Sequence, residues 1–344
     1  MKNRSGNVDL ARFIASMFIM IHHIGYCVLG YNPWGNFWIY VEFFLIITGY
    51  YTAKHFDGKN YSNPIKESII YTLKKFIPFI PYTIITITLM YLLNLTPKLL
   101  SGELNIKGFI FSFTDDFIFE NLLIIESYNE PLVVPLWYLS TLFIVFPLFS
   151  WLMQIRNRYW IICITSIYSL FYYGIMGVTG NRTYHNDFLS VIAGLCIGAF
   201  IYEFIYSFSD YISKINKLIL TVIEIITFTV PIFINFFNLG STRFILFCFT
   251  VCLAIMLPNL SYTSNIKGKV FIYLGRLSMP IFIIHWFIGK LIEYLSNNIF
   301  LWSDTIKIIL YYGITIIVAM TAMYLVDHWK WFQSIIKKPI ILKD

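Results

Sequence analysis

The chain has 344 residues, of which 58% are hydrophobic, 19% aromatic and only 12% charged, and its mean hydropathy is +0.71. So little charge excludes a soluble globular enzyme and predicts a polytopic membrane protein. The formal net charge is +7. In a membrane protein an excess of lysine and arginine reflects topology, so nucleic-acid binding is not expected.

About ten apolar runs long enough to cross a bilayer follow one another along the chain. They predict an all-α fold, a polytopic transmembrane helical bundle in which residues 1–344 form a single integral membrane domain. The first run lacks a small-residue cleavage site, so we expect it to remain as a helix. The predicted spans lie near residues 10–29, 37–54, 76–95, 135–153, 159–177, 188–207, 218–238, 243–260, 279–297 and 306–326.

Lysine and arginine are concentrated in every second connection, which predicts that both termini are cytoplasmic. The long connection 96–134 is acidic and is expected outside, while residues 327–344 predict a short helix along the cytoplasmic headgroups. The basic connection between the second and third spans is the richest in lysine; it carries Lys54, Lys59, Lys66, Lys74 and Lys75.

Arg12 and His23 lie on the first predicted span, eleven positions apart. Eleven residues at about 100° each return to within about 20° of the starting face, so the two side chains point the same way about 16 Å apart. Ionisable groups inside a membrane span are costly, which marks His23 as a functional candidate. His22 is turned about 100° away and is expected to point at another helix or at lipid.

Glu42 lies near the start of the second predicted span, at a depth similar to that of His23. A carboxylate beside an imidazole can fix its tautomer and stabilise its protonated form, as a general base requires. The alternative is a structural hydrogen-bonded pair between two helices.

Other polar residues allow two interpretations each. His285, expected nearer the cytoplasm in the ninth span, can line a channel or bond across helices. Asp9 can pair with Arg12 or cap the first helix. Trp137 and Tyr138 are expected at an outer interface, as anchors or as a surface that stacks on a sugar. A predicted outer connection contains Arg182, His185 and Asp187. These residues can contact an acceptor or simply belong to a solvated loop.

Common catalytic and metal-binding motifs are absent from the sequence. The five cysteines lie in apolar stretches without C-x-x-C spacing, so neither a disulfide framework nor a zinc site is expected. The chain also lacks a glycine-rich phosphate loop, a metal-ligand cluster and the G-x-S-x-G motif. A covalent serine mechanism is therefore disfavoured.

Four segments, in order, resemble the membrane acyltransferase-3 family: NVDLARFIASMFIMIHH, VEFFLIITGYY, PLWYLSTLF and GRLSMPIFIIH. The first matches the family's signature of a basic residue, ten residues and a histidine through Arg12 and His23. The second has Thr48 where the family usually has serine. The resemblance spans nearly the whole chain.

The resemblance implies transfer of an acyl group, commonly acetyl, from cytoplasmic acyl-CoA to a hydroxyl of an extracytoplasmic or lipid-linked glycan in a bacterial membrane. It makes His23 the catalytic residue and Arg12 a donor contact. The family's R-x-x-R motif falls on YTLKKFIPFIP, with Thr72 first and Lys75 second, beside Lys74. Lysine binds phosphate as a point charge but not bidentately. Both lysines can equally be part of the positive charge that is usual on the cytoplasmic side of a membrane protein.

We therefore predict an integral membrane O-acyltransferase with acyl-CoA, foremost acetyl-CoA, as donor substrate and no metal. His23 would be the general base and Glu42 would polarise it; direct attack and an acyl-histidine intermediate both stay open. The expected partners are the lipid bilayer, a glycan or lipid-linked saccharide acceptor and, if acylation is indirect, a separate extracytoplasmic transferase. The remaining candidates are Arg12, Lys74, Lys75 and His285 for the donor, and Trp137 and Tyr138 for the acceptor.

Two other functions fit the same buried charges. A transporter or flippase for a glycan or lipid-linked intermediate would use them to line a path, and a non-catalytic partner in an envelope complex would not need His23. Glycine- or proline-interrupted helices at matching positions in two halves would favour transport, and the sequence has none. The acceptor, the acyl group and the oligomeric state are not specified by the sequence.

Overall fold

The structure, a computed structural model, describes residues 5–31, 34, 37–103, 105–112, 132–155, 157–176, 184–239 and 241–337. All regular secondary structure in these ranges is helical, which confirms the predicted fold class. The α-helices are α1 Gly6–Ile24, α2 Tyr40–Phe56, α3 Pro64–Phe76, α4 Ile80–Leu100, α5 Ile106–Ser112, α6 Trp137–Leu152, α7 Arg158–Leu170, α8 Tyr184–Ser207, α9 Ser209–Ile212, α10 Lys217–Phe236, α11 Thr242–Met256, α12 Lys269–Leu295, α13 Asp304–His328 and α14 Lys330–Lys337.

Helical stretches long and apolar enough to cross a membrane number seven in the described part of the chain: Gly6–Leu29, Pro64–Leu99, Val134–Leu152, Phe188–Ser207, Lys217–Phe236, Lys269–Phe300 and Asp304–His328. The other three predicted spans correspond to the shorter helices α2, α7 and α11, of 17, 13 and 15 residues. A 3₁₀ turn precedes α2 and a π-helical turn, Phe171–Met176, follows α7. The count of ten spans and the position of the termini stay predictions.

The basic segment before the third predicted span is helical, not a connection. The Asn63 side chain accepts a hydrogen bond from the backbone of Lys66, and Pro64 occupies the first helical position, so α3 begins with a side-chain cap and a proline. A 3₁₀ turn, Ile77–Phe79, joins α3 to α4. Lys66, Lys74 and Lys75 consequently lie on a helix.

Glycines allow α2 and α8 to pack with their backbones in contact. A Cβ atom on Gly49 would lie 2.0 Å from the carbonyl oxygen of Leu195, and one on Gly198 would lie 2.1 Å from that of Ile46. Gly194 and Gly198 form a G-x-x-x-G pair on α8, the pattern by which membrane helices approach closely.

Glycines of α12 also allow close packing against α1 and the turn that follows it, here against side chains. A Cβ atom on Gly289 would lie 2.2 Å from the sulfur of Cys27, and one on Gly275 would lie 2.2 Å from a carboxylate oxygen of Asp9. α13 contacts this pair, because the Tyr311 hydroxyl donates to the backbone oxygen of Met20. The α1–α12 contact places the two histidine-bearing helices side by side.

The helix predicted after the last span is present as α14. Trp331 is exposed on it, whereas Phe332 is buried, and the Gln333 amide donates to the backbone oxygen of Val326. The helix therefore has one apolar face against the bundle. Its position along the headgroups stays a prediction.

We expect Gly198→Ala to lower the apparent Tm of the purified protein, because the added methyl group meets backbone and overpacking costs about 1–3 kcal/mol. Gly313→Ala is the matched control, since a Cβ atom there meets nothing within 4 Å. Thermal unfolding in detergent or lipid measures both variants. Equal Tm values would contradict close α2–α8 packing.

Candidate active site

A cavity of about 350 Å³ lies between α1, α2, α3 and α6. This is large enough for part of an organic ligand. Its walls are mainly apolar and aromatic, with a few charged and hydroxyl groups. The polar and charged side chains that line it include Asp9, Arg12, Thr48, Tyr51, Lys75 and Tyr138.

Two cationic side chains line this cavity from different helices. An Arg12 nitrogen lies 3.7 Å from a carboxylate oxygen of Asp9, which is itself buried. The Lys75 ammonium lies 5.2 Å from the centre of the Tyr71 ring, within cation–π range. The cavity therefore combines positive charge with aromatic walls.

The other two residues around the expected R-x-x-R motif lie differently. Thr72 is buried, and its hydroxyl donates to the backbone oxygen of Ser68 at 2.8 Å. Lys74 is exposed and is not among the residues that line the cavity. The structure thus brings Lys75 together with Arg12, but neither Thr72 nor Lys74.

His23 lies in a cluster of rings at the far end of α1 from Arg12. Its ring centre is 5.1 Å from that of His285 and 5.3 Å from that of Trp286, which meets it edge-on at 89°. His22 does not point away from this cluster, because its ring is 5.0 Å from that of His23. Three imidazoles therefore occupy one region.

His285 lies deeper along its helix than the sequence predicted. α12 begins at Lys269, ten residues before the predicted span, so His285 falls in its second half and reaches the level of His23. The side chain is completely buried. Its Nδ1 atom is 3.1 Å from the backbone oxygen of Ile281.

Phe282 connects the cavity to the histidines. Its ring centre is 5.7 Å from that of Tyr138, which lines the cavity, and 6.1 Å from that of His285. Tyr138 is buried within the bundle, and its position at the outer interface stays a prediction. Trp137 is half-buried beside it, with ring centres 6.2 Å apart.

Glu42 is completely buried and accepts hydrogen bonds from two other parts of the bundle. The Tyr173 hydroxyl donates to Oε2 at 2.6 Å, and the Ser190 hydroxyl donates to Oε1 at 2.5 Å. Both carboxylate oxygens therefore have partners outside α1. Direct pairing of Glu42 with His23 stays a prediction.

A family model described as an acyltransferase domain, that of the acyltransferase-3 family, matches residues 5–327. The chain belongs to this family. No curated protein and no solved structure gives a significant match. Together with the seven helical stretches in the described ranges that are long enough to cross a membrane, membership makes the protein a multi-pass membrane acyltransferase that transfers groups other than aminoacyl groups.

In this acyltransferase the predicted candidates fall into three groups. Arg12, Lys75 and Tyr138 share the cavity, while His23 and His285 share the ring cluster beyond it. Glu42 lies in its own hydrogen-bond network. Sequence reasoning missed the partners Phe282, Trp286, Tyr173 and Ser190, although the last two were polar residues inside predicted apolar spans. Arg182 and the side chains of His185 and Asp187 lie outside the described residues.

Within the part of the acyltransferase that the structure describes, no group of three or more histidine, cysteine, aspartate or glutamate side chains is placed to hold a metal ion. The five cysteines are free thiols, four of them buried.

We expect Ser190→Ala to destabilise the acyltransferase by about 1–3 kcal/mol, because it removes one hydrogen bond from a buried carboxylate. Ser166→Ala is the control, since the Ser166 hydroxyl donates to backbone oxygens of its own helix. Thermal unfolding of both variants in lipid measures the difference. An unchanged Tm for Ser190→Ala would show that the Glu42 network contributes little.

Proposed function

We propose that this acyltransferase moves a short acyl group, acetyl first, from cytoplasmic acyl-CoA to a hydroxyl of a cell-envelope or lipid-linked glycan in a bacterial cell membrane. The observation that carries the proposal is the arrangement along α1 of a cation-bearing cavity and, beyond it, a histidine cluster in which His23 is half-buried and His285 is buried. Membership of the family gives the reaction class, acyl transfer. The proposed roles of individual residues rest on their positions in the structure.

Arg12 and Lys75 are the proposed contacts for the charged end of the donor. Coenzyme A carries its phosphates at one end and its thioester on a long slender arm. Arginine binds phosphate bidentately and lysine binds it as a point charge, so the pair suits such a group. About 16 Å separate Arg12 and His23 along the helix axis, which an extended arm can span.

Tyr138 and Phe282 line the proposed route of the arm towards His23. Their rings touch each other, and the Phe282 ring touches His285. Apolar rings at this point exclude water, which protects a thioester from hydrolysis. In this proposal Tyr138 contacts the donor, and Trp137, half-buried beside it, stays the candidate for a sugar.

His23 is the proposed general base. It takes the proton from the acceptor hydroxyl while the hydroxyl oxygen attacks the thioester carbon, so that a new C–O bond forms and the C–S bond breaks. The proton then passes to the departing thiolate, which leaves as the thiol of coenzyme A. Glu42 acts at a distance as a buried negative charge that favours the transient positive charge on His23.

We expect His23→Ala to lose acyl transfer by at least about 100-fold, the usual contribution of a general base. His22→Ala is the matched control, since it removes the neighbouring imidazole and should retain most activity. The measurement is transfer from labelled acetyl-CoA by purified protein in lipid, with envelope glycans as acceptors. No transfer by the wild type would reject the proposed reaction; equal loss in both variants would reject His23 as the specific base.

We expect Arg12→Gln and Lys75→Ala each to raise KM for acyl-CoA, with a smaller change in kcat, because both remove a charge from the donor cavity. Lys74→Ala serves as the control, since Lys74 is exposed outside the cavity. Steady-state kinetics with acetyl-CoA as the varied substrate measures the three variants. A rise in KM for Lys74→Ala as large as for Lys75→Ala would contradict the assignment.

A further inference from the structure

We propose that His285 is a positioning residue for His23: its Nε2 atom accepts a hydrogen bond from the His23 ring N–H and so fixes the tautomer that His23 uses as a base. This inference rests on the proposed function, in which His23 takes the hydroxyl proton. It assigns to an imidazole the role that the sequence had given to the Glu42 carboxylate. It also moves His285 from donor binding to the reaction centre.

The tautomer of His285 follows from its hydrogen bond. Its Nδ1 atom lies 3.1 Å from the backbone oxygen of Ile281, and a carbonyl oxygen only accepts. Nδ1 therefore carries the proton, and the Nε2 atom of a neutral imidazole holds a lone pair. Because this lone pair cannot donate, the group that meets it must be a donor.

The Nε2 atom of His285 has no hydrogen-bond partner among the described residues, and it is fully enclosed. Buried polar atoms are almost always paired, so an acceptor without a partner in a completely buried side chain needs an explanation. The atom needs a donor that is available during the reaction.

The imidazole ring in contact with His285 is that of His23, at 5.1 Å between ring centres and 36° between ring planes. At this separation a rotation of the rings can bring a nitrogen of His23 within hydrogen-bond distance of Nε2 of His285. Trp286, the next residue on α12, also contacts the His23 ring, with ring centres 5.3 Å apart and ring planes at 89°. One helix thus supplies both the acceptor and the wall that holds the ring.

Glu42 is less suited to this role in the observed arrangement. Its two oxygens already accept from Tyr173 and Ser190. A neutral imidazole also carries a smaller desolvation cost than a carboxylate at a position as buried as that of His285. When His23 takes the hydroxyl proton, a hydrogen bond to Nε2 of His285 stabilises the resulting cation.

The test compares His285→Phe and His285→Gln in the full chain in lipid. Phenylalanine keeps a ring without an acceptor, whereas the glutamine amide oxygen can accept near the position of Nε2. Nitrogen NMR of histidine-labelled protein reads the tautomer without any need for activity; the chain has six histidines, and the His23 signals are assigned by their loss in His23→Asn. Kinetics with acetyl-CoA runs in parallel.

We expect one neutral tautomer for His23 in the wild type and a mixture of both in His285→Phe. In the same variant kcat should fall on the order of 100-fold with KM for acetyl-CoA within about twofold, and His285→Gln should recover part of the loss. A single His23 tautomer unchanged in His285→Phe overturns the inference, and so does a rise in KM with kcat intact. An inactive wild type rejects the proposed function alone, since the tautomer is read independently.

Discussion

A carboxylate buried inside a membrane bundle must be hydrogen-bonded or lose its charge, and Glu42 satisfies this requirement with hydroxyl groups from two other segments. Tyr173 follows α7 and Ser190 lies on α8, so one side chain of α2 joins three helices. The glycines of α8 permit this, because any larger residue at Gly194 would reach the Glu42 carboxylate itself. The position of the site depends on this tight three-helix unit.

The opposite end of the same unit is joined by an ionic cluster. Arg158 at the start of α7 contacts Asp57, which follows α2, at 2.6 Å and Glu203 on α8 at 2.8 Å. Tyr202 donates to the second oxygen of Asp57 at 2.7 Å. α2, α7 and α8 are thus connected at both ends, and α1, which carries His23, packs against α2.

The sequence predicted the elements of the site better than their contacts. Periodicity placed Arg12 and His23 on one helix, and composition identified the helical membrane fold. The pairing of His23 with His285 was not predictable, because it depends on where α12 begins, and its apolar pattern extends ten residues before the predicted span. The helix α3 was missed although Asn63 and Pro64 are a typical start signal, since its lysines suggested a connection.

In the proposed reaction, the cation Arg12 and the base His23 act at opposite ends of the donor, which suits their positions on one helix but apart. Arg12 and Lys75 are fixed cations, and a fixed cation beside His23 would oppose the positive charge that a general base acquires. About three turns of α1 lie between Arg12 and His23. The rings of Tyr138 and Phe282 lie between the cavity and His285 on α12. The neutral imidazole of His285 adds no charge beside His23 before the reaction. During the reaction the two rings together hold at most one extra proton. The histidine pair therefore suits a low-dielectric site, because neither neutral ring adds a fixed charge there.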